Sequence, residues 1–196
     1  VRQYASLGIG FANHAYFLAK LGHRYGSNEG MLAHDIWMEH FQYNLIKASM
    51  EYAKLTGIVA SKLWKTTWAD GEMPIHRYKK TVDELVTREL ECDWDWLSNE
   101  VKENGMYNCT LSMIPPSETS SIIGNMTSSL EPIKNLLTIK STKGVTLVQL
   151  APEALKLADK YDFAFDRKNM TEDFIKHLAI TQKWICMGIS GNTFYN

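Results

Sequence analysis

The first third of the chain has the hydrophobic periodicity of two helices. Apolar side chains recur at helical spacing over Phe11–Leu21, and Gly22 follows where a left-handed C-cap favours glycine. A second, longer helix is predicted to reach Thr56 and to end at Gly57. Its inner face is predicted to comprise Ile36, Phe41, Leu45, Ala48, Tyr52 and Leu55, with Glu39, Lys47, Glu51 and Lys54 on the rest of its surface. Its methionines are predicted to fill gaps in the core: Met31, Met38 and Met50.

The middle of the chain predicts one helix followed by one strand. Asp93 or Asp95 can cap a helix that is closed by Gly105. The next segment, Tyr107–Ile114, is rich in apolar and β-branched residues and is bounded by glycine on one side and by Pro115 on the other. This pattern is typical of a mostly buried strand.

The last third alternates strands with helices. Leu136–Lys140 and Val145–Leu150 flank a Ser-Thr-Lys-Gly sequence and predict a β-hairpin. Helices are predicted over Glu153–Phe163, which is entered through a proline, and over Thr171–Gly188, with its first residue as the N-cap. Ile189–Phe194 is predicted to be another strand.

Helices separated by a few buried strands favour a helix-rich α/β fold with an inserted β-hairpin. Two core strands and a hairpin are too few to close a barrel, and parallel strands are stable only when they are paired and covered. We therefore expect the rest of the sheet to come from further chain. The same expectation follows from the ends, because the chain begins at Val1 without methionine and stops at Asn196 in a strand-like sequence.

Composition and charge exclude several classes of function. The 196 residues are 45% hydrophobic and 22% charged, which is typical of a globular domain with a sizeable core. The net charge of −1 gives no electrostatic case for binding nucleic acid or an anionic membrane, and no apolar run approaches the roughly 18 residues of a membrane span. The three cysteines have no CxxC spacing and the six histidines form no HExxH motif, so we predict no metal site and a reduced, cytoplasmic setting.

One segment carries candidate chemistry. Ser117-Glu-Thr-Ser-Ser121 lies where the buried strand ends and a helix can begin. A helix start offers free backbone N–H groups and the positive end of the helix dipole, and hydroxyls beside them would complete a neutral cradle for phosphate oxygens. Serine and threonine at such a position are also ordinary N-caps, and Glu118 in the first turn complements the dipole. The residue types alone leave both interpretations open.

The order of several motifs resembles one enzyme family. They are Leu7-Gly-Ile-Gly10, Lys47-Ala-Ser49, Asn108-x-Thr-Leu-Ser112, Met113-Ile-Pro-Pro-Ser-Glu-Thr-Ser-Ser121, Leu130-Glu-Pro132 and Ser190-Gly-Asn-Thr193. This set resembles the large subunit of class I (aerobic) ribonucleotide reductases, in approximate spacing as well as in order, over nearly the whole chain. The central run resembles the loop with which that family holds the substrate diphosphate.

The resemblance implies an oxidoreductase that reduces ribonucleoside diphosphates to deoxyribonucleoside diphosphates by a thiyl-radical mechanism inside a ten-stranded α/β barrel. It implies that residues 1–196 are the C-terminal half of that catalytic barrel domain, incomplete at both ends. Residues matching the diphosphate loop are Ser117, Glu118, Thr119 and Ser120, with the Glu118 side chain expected to point away from phosphate. Catalytic residues are expected outside this chain, so that the fragment alone should be inactive, and Cys109 is expected to be a small buried hydrophobe.

The resemblance also implies the cofactors and partners. The complete enzyme would use a metal/radical cofactor in a separate small subunit, with the nucleotide effectors ATP and dATP on the large subunit, and none of these would be held by this chain. Its partners would be the ribonucleoside diphosphate, the remaining large-subunit segments, the small radical-generating subunit and thioredoxin or glutaredoxin. The expected location is the cytoplasm, or the host cytoplasm for a viral protein.

Two other interpretations make different predictions. In the first, the chain is a non-catalytic helical binding or scaffold module in which Ser117–Ser121 only caps a helix. In the second, it belongs to another radical-barrel enzyme. Loss of diphosphate binding in a variant of Thr119 and Ser120 would argue against the module.

Because the sheet is unclosed, we also expect the isolated chain to be poorly soluble or loosely packed.

Overall fold

A computed structural model describes residues 3–142, 144–165 and 168–194. Within these residues the α-helices are α1 (His14–Leu21), α2 (Asn28–Thr56), α3 (Ala60–Leu63), α4 (Pro74–Arg77), α5 (Trp94–Asn104), α6 (Glu118–Ile123), α7 (Ala154–Leu157) and α8 (Met170–Trp184). Single 3-10 turns cover Thr67–Asp70 and Lys80–Glu84. Two strands, β1 (Leu137–Thr142) and β2 (Val145–Leu150), pair antiparallel. The helix-rich character and the inserted hairpin are confirmed.

The chain divides into two compact units. The first unit comprises Val1–Gly10, Leu32–Ile114 and Ala179–Ile189, and the second comprises Phe11–Met31, Pro115–Leu178 and Ser190–Asn196. No helix among the described residues is both long enough and apolar enough to cross a membrane.

The C-terminal end of the long helix is as predicted, but its buried face is not. Helix α2 ends at Thr56, and Gly57 adopts a left-handed φ of 69°. On the predicted inner face, however, Leu55 is 81% exposed and Tyr52 is 49% exposed. The residues buried in their place are Met31, His34, Asp35, Met38, Glu39, Gln42, Ile46, Ser49, Met50 and Ala53. The predicted face was therefore wrong, although the three methionines do lie in the core.

Buried charge in the first unit explains that error. Arg88 lies with its Nε 2.7 Å from Asp35 and its Nη1 2.6 Å from Glu39, and both carboxylates are buried. Trp184 donates its indole N–H to Asp35 at 2.7 Å, and Trp94 donates to Glu39 at 3.1 Å. Because each carboxylate has such partners, acidic residues occupy a face that a hydrophobic pattern assigns to solvent.

The predicted strand Tyr107–Ile114 is mostly buried, but it bends at Tyr107 and Cys109 and forms isolated bridges rather than a regular strand. Within the first unit, Ser112 bridges Ile9 in parallel, and Ile114 bridges Ile189 in parallel. Three chain segments thus lie side by side and run parallel at these bridges. The predicted strand Ile189–Phe194 is wrong beyond this bridge, because residues 190–194 have no regular structure.

Capping residues set both ends of α5. Asp93 caps α5 by accepting from the Trp96 N–H at 2.8 Å, and Gly105 ends it with a φ of 73°, as predicted.

The predicted helix Glu153–Phe163 is wrong, because only the single turn of α7 forms after Glu153, which takes a left-handed φ of 48°. The predicted N-cap Thr171 lies inside α8, where its hydroxyl donates to the Phe194 carbonyl instead.

Candidate functional site

The candidate site is the start of α6 in the second unit. After Pro115-Pro116, Ser117 occupies the N-cap position with a φ of −118°. The first backbone bond of the helix runs from the Ser121 N–H to the Ser117 carbonyl at 2.8 Å. The amides of Glu118, Thr119 and Ser120 precede that bond, so the helix itself offers them no acceptor. These amides and the helix dipole make the end of α6 favourable for a negatively charged group.

The hydroxyls of this segment have different environments. Thr119 and Ser120 are exposed, whereas Ser121 is only 3% exposed and belongs to the core. Ser117 makes no capping hydrogen bond to its own helix. Its Oγ instead accepts the Ser129 N–H at 2.7 Å, which leaves the hydroxyl hydrogen able to donate elsewhere. The Glu118 side chain lies outside the described part of the structure, so its predicted direction stays a prediction.

A frame of backbone contacts holds the chain on either side of α6. Asn13 and Thr127 pair twice: the Asn13 N–H donates to the Thr127 carbonyl, and the Thr127 N–H donates to Asn13 Oδ1, both at 2.9 Å. The next residue, His14, donates its backbone N–H to the Ser129 carbonyl at 3.3 Å. Together with the Ser117–Ser129 bond, these contacts close the loop around α6.

Two motifs far apart in the sequence meet at the end of this frame. Glu131 Oε1 accepts both the backbone N–H and the side-chain amide of Asn192, each at 2.9 Å. One residue earlier, the Leu130 carbonyl accepts the hydroxyl of Tyr25 at 2.8 Å. Burial, and then the nearby Asp162 and Glu131 carboxylates, hold the pKa of Tyr25 well above its ordinary value, so this phenol is a permanent donor.

A buried histidine pair lies next to that tyrosine. His14 Nε2 and His177 Nδ1 are 3.0 Å apart, and His177 Nε2 lies 2.8 Å from the Tyr25 carbonyl. Burial lowers the pKa of His177 to about 4, against smaller opposing effects of the Tyr25 carbonyl and Asp173. His177 is therefore neutral at physiological pH, when Nε2–H donates to the carbonyl and Nδ1 accepts from His14.

The structure gathers most of the predicted loop and adds residues that the loop sequence does not indicate. Ser117, Thr119 and Ser120 lie together at the start of α6. Asn13 and Ser129 complete the frame. Their available sequence signal was weak: asparagine tolerates left-handed backbone, and Asn13 has a φ of 76°, but nothing local specifies Thr127 as its partner.

The cysteines lie in the first unit and make no described bond to this loop. Cys109 is 4% exposed and burial raises the pKa of its thiol, in agreement with the prediction of a small buried hydrophobe. Cys186 Sγ accepts the N–H groups of Leu111 and Ser112 at 3.2 Å each. For Cys92, burial and then the nearby Glu39 raise the pKa to about 11, which disfavours the thiolate.

Comparison with known proteins agrees with these motifs. Residues 1–161 match the family model described as the ribonucleotide reductase barrel domain. The chain is 39% identical over 191 residues to the ribonucleoside-diphosphate reductase subunit alpha of Haemophilus influenzae, covering 97% of this chain and 25% of that protein. It is 38% identical over 193 residues to the subunit alpha of ribonucleoside-diphosphate reductase 1 of Escherichia coli, covering 97% of this chain and 25% of that protein. It is 34% identical over 193 residues to the ribonucleoside-diphosphate reductase subunit alpha of Enterobacteria phage T4, with the same two coverages.

The chain therefore belongs to the ribonucleotide reductase barrel-domain family. It spans about a quarter of the length of the curated relatives it matches. The predicted family relationship is confirmed.

Proposed function

We propose that this chain supplies the substrate-diphosphate loop of a ribonucleoside-diphosphate reductase large subunit. Its relatives are named as alpha subunits of that enzyme. The observation that carries the proposal is the start of α6, where three amides precede the first helical bond and exposed Thr119 and Ser120 hydroxyls stand beside them. Such a set of donors, aligned with the helix dipole, suits phosphate oxygens.

Ser117 fits the same role, although its hydroxyl makes no capping hydrogen bond to α6. Because its Oγ already accepts the Ser129 N–H, the hydroxyl is held in place and its own hydrogen is the group left to donate. A hydroxyl whose oxygen accepts one hydrogen bond is polarised and becomes a better donor in the next. Ser117, Thr119, Ser120 and the Glu118 amide would therefore bind the diphosphate, and neutral donors would allow it to leave after reaction.

The remaining chemistry would come from the rest of the enzyme. A thiyl radical would remove a ribose hydrogen while two further cysteines are oxidised to a disulfide, and we assign none of these roles to Cys92, Cys109 or Cys186. The radical would be generated in a separate small subunit with a metal cofactor, and thioredoxin or glutaredoxin would reduce the disulfide back to two thiols. ATP and dATP would act on other parts of the large subunit, and the enzyme would work in the cytoplasm.

The architecture would follow from the same assignment. The parallel bridges Ile9–Ser112 and Ile114–Ile189 would be part of a ten-stranded α/β barrel. Residues 1–196 would then be the C-terminal half of the catalytic barrel domain, completed by further segments of the large subunit.

Diphosphate titration tests the site directly. We expect ADP, as a representative ribonucleoside diphosphate, to bind the chain by calorimetry, and the double variant Thr119→Ala/Ser120→Ala to raise Kd at least tenfold, since two charge-assisted hydrogen bonds are lost. The matched control is Thr138→Ala, which removes a hydroxyl from the hairpin. Full affinity in a folded double variant would leave α6 as a plain helix start and favour the scaffold interpretation.

A further inference from the structure

The hairpin contacts the candidate loop through one side chain. Gln149 lies on β2, opposite Thr138 on β1. Its side-chain amide Nε2 donates to the Met126 carbonyl at 2.9 Å and to the Ser121 carbonyl at 3.3 Å. Both acceptors belong to the segment that ends α6 and leads out of it.

Neither carbonyl accepts a hydrogen bond within α6, because Ser121 lies near its C-terminal end and Met126 lies beyond it. A helix leaves its last carbonyls without intrahelical partners, and in a six-residue helix this is most of them. The Ser121 carbonyl already accepts the Met126 N–H at 2.8 Å across a turn in which Asn125 takes a left-handed φ of 48°. Gln149 therefore caps the C-terminal end of α6 from another element and fixes the turn that follows it.

Close side-chain packing between the hairpin and α6 does not fix the position of α6 in place of these hydrogen bonds. A cavity of about 430 Å³ lies between the hairpin and the loop, and Ser121, Met126, Thr138 and Gln149 are among the residues that line it. Side chains that border a cavity lack the dense contacts that fix a position in a packed core. The position of α6 relative to the hairpin thus depends strongly on the amide of Gln149.

We propose that Gln149 is a positioning residue for the diphosphate loop, an inference that rests on the proposed function. Helix α6 rises only about 9 Å from end to end, at about 1.5 Å per residue, so a tilt at its C-terminal end moves the amides at its start. Binding groups are sensitive to displacements on the order of 1 Å. Gln149 acts on the substrate through α6 and does not touch it.

The test separates a donor from a space-filling side chain. Gln149→Glu has nearly the same shape but turns a carboxylate oxygen toward two carbonyls, whereas Gln149→Ala removes the group. If Gln149 acts as a donor, Kd for ADP should rise at least tenfold in Gln149→Glu and less in Gln149→Ala. A space-filling role predicts the reverse order. Thr138→Ala, on the paired strand, should change Kd less than twofold.

Hydrogen exchange gives a readout that needs no ligand. Amides of residues 118–126 should exchange at least tenfold faster in Gln149→Glu, while those of α5 keep their wild-type rates. Faster exchange in a chain that binds no ADP would contradict the diphosphate assignment and leave Gln149 as the anchor of α6. Unchanged exchange together with unchanged Kd in Gln149→Glu would overturn the positioning role.

Discussion

Two clusters of polar groups, one in each unit, are built in opposite ways. In the first unit, Asp35, Glu39 and Arg88 form a buried ionic network completed by indole N–H donors. In the second, the frame of α6 is built from amides, carbonyls and hydroxyls, as in the Asn13–Thr127 pair. Removing one member of a buried charged network leaves an unpaired charge and is strongly destabilising, whereas removing one member of a neutral network costs about one hydrogen bond. The stability of the ionic network in the first unit should therefore be more sensitive to single substitutions than that of the frame around α6.

The largest effect should come from Arg88→Met in the first unit. The change leaves buried Glu39 without a cation and leaves Asp35 with only Lys183, 3.6 Å away, which should lower the free energy of unfolding by about 3–5 kcal/mol in urea titrations. Arg77→Met is the matched control, because Arg77 lies 3.8 Å from Glu72 in an exposed pair whose loss should cost about 0–1 kcal/mol. Equal losses in both variants would remove the distinction between the buried and the exposed pair.

Acid should protonate His177, a base with a strongly lowered pKa next to the neutral frame. The folded pKa of His177, about 4, lies below the ordinary value of 6.5, so the unfolded chain takes up the proton first. Stability from this group is complete above pH 6.5, falls between pH 6.5 and 4 by on the order of 3 kcal/mol, and is level below. In His177→Gln, unfolding measured over the same range should show a correspondingly smaller pH dependence, whatever its absolute stability. An unchanged slope would mean that His177 titrates normally in the folded chain.

Removing a neutral hydrogen bond should lower the free energy of unfolding by less. Asn13→Ala removes the acceptor of the Thr127 N–H and places alanine at a φ of 76°, for an expected loss of about 2 kcal/mol in urea unfolding. Asn13→Asp keeps the acceptor oxygen and should lose less than half as much. If the aspartate variant is as unstable as the alanine variant, the hydrogen bond to Thr127 is not what Asn13 contributes.

The smallest effect on stability should come from the outer hairpin face. Val148 is 64% exposed and pairs across the strands with Ile139, which is 65% exposed. Val148→Thr should change the free energy of unfolding by no more than about 0.5 kcal/mol. It should also reduce concentration-dependent self-association measured by sedimentation, since it breaks an exposed apolar patch at an open sheet edge. Increased association would show that the valine protects this face.

What the sequence predicts well is local. The ends of α2 and α5 follow from Gly57, Asp93 and Gly105, because caps are set by backbone conformation and by neighbours a few residues away. The hairpin was predicted for the same reason. Glu153 shows the limit: a helix pattern continues past it, but its side chain accepts from Tyr16 and Lys20 and its backbone turns left-handed, so only α7 forms.

What the sequence does not predict depends on distant partners. Glu39 is buried because Arg88, Trp94 and two backbone amides meet it, and no pattern within α2 reveals them. The candidate site divides in the same way. Ser117–Ser120 could be selected from their motif, whereas Asn13 and Gln149 act on that segment across more than 20 residues of sequence and required the fold.

The left-handed residues around α6 have a thermodynamic consequence. Asn13, Asn125 and Ser129 have φ values of 76°, 48° and 44°, conformations that typically cost on the order of 1–3 kcal/mol each for residues other than glycine. That cost is met when the chain folds, so a ligand arriving at the loop meets a backbone that is already ordered. Association should then carry little penalty in conformational entropy, and the affinity of the loop should reflect the contacts themselves.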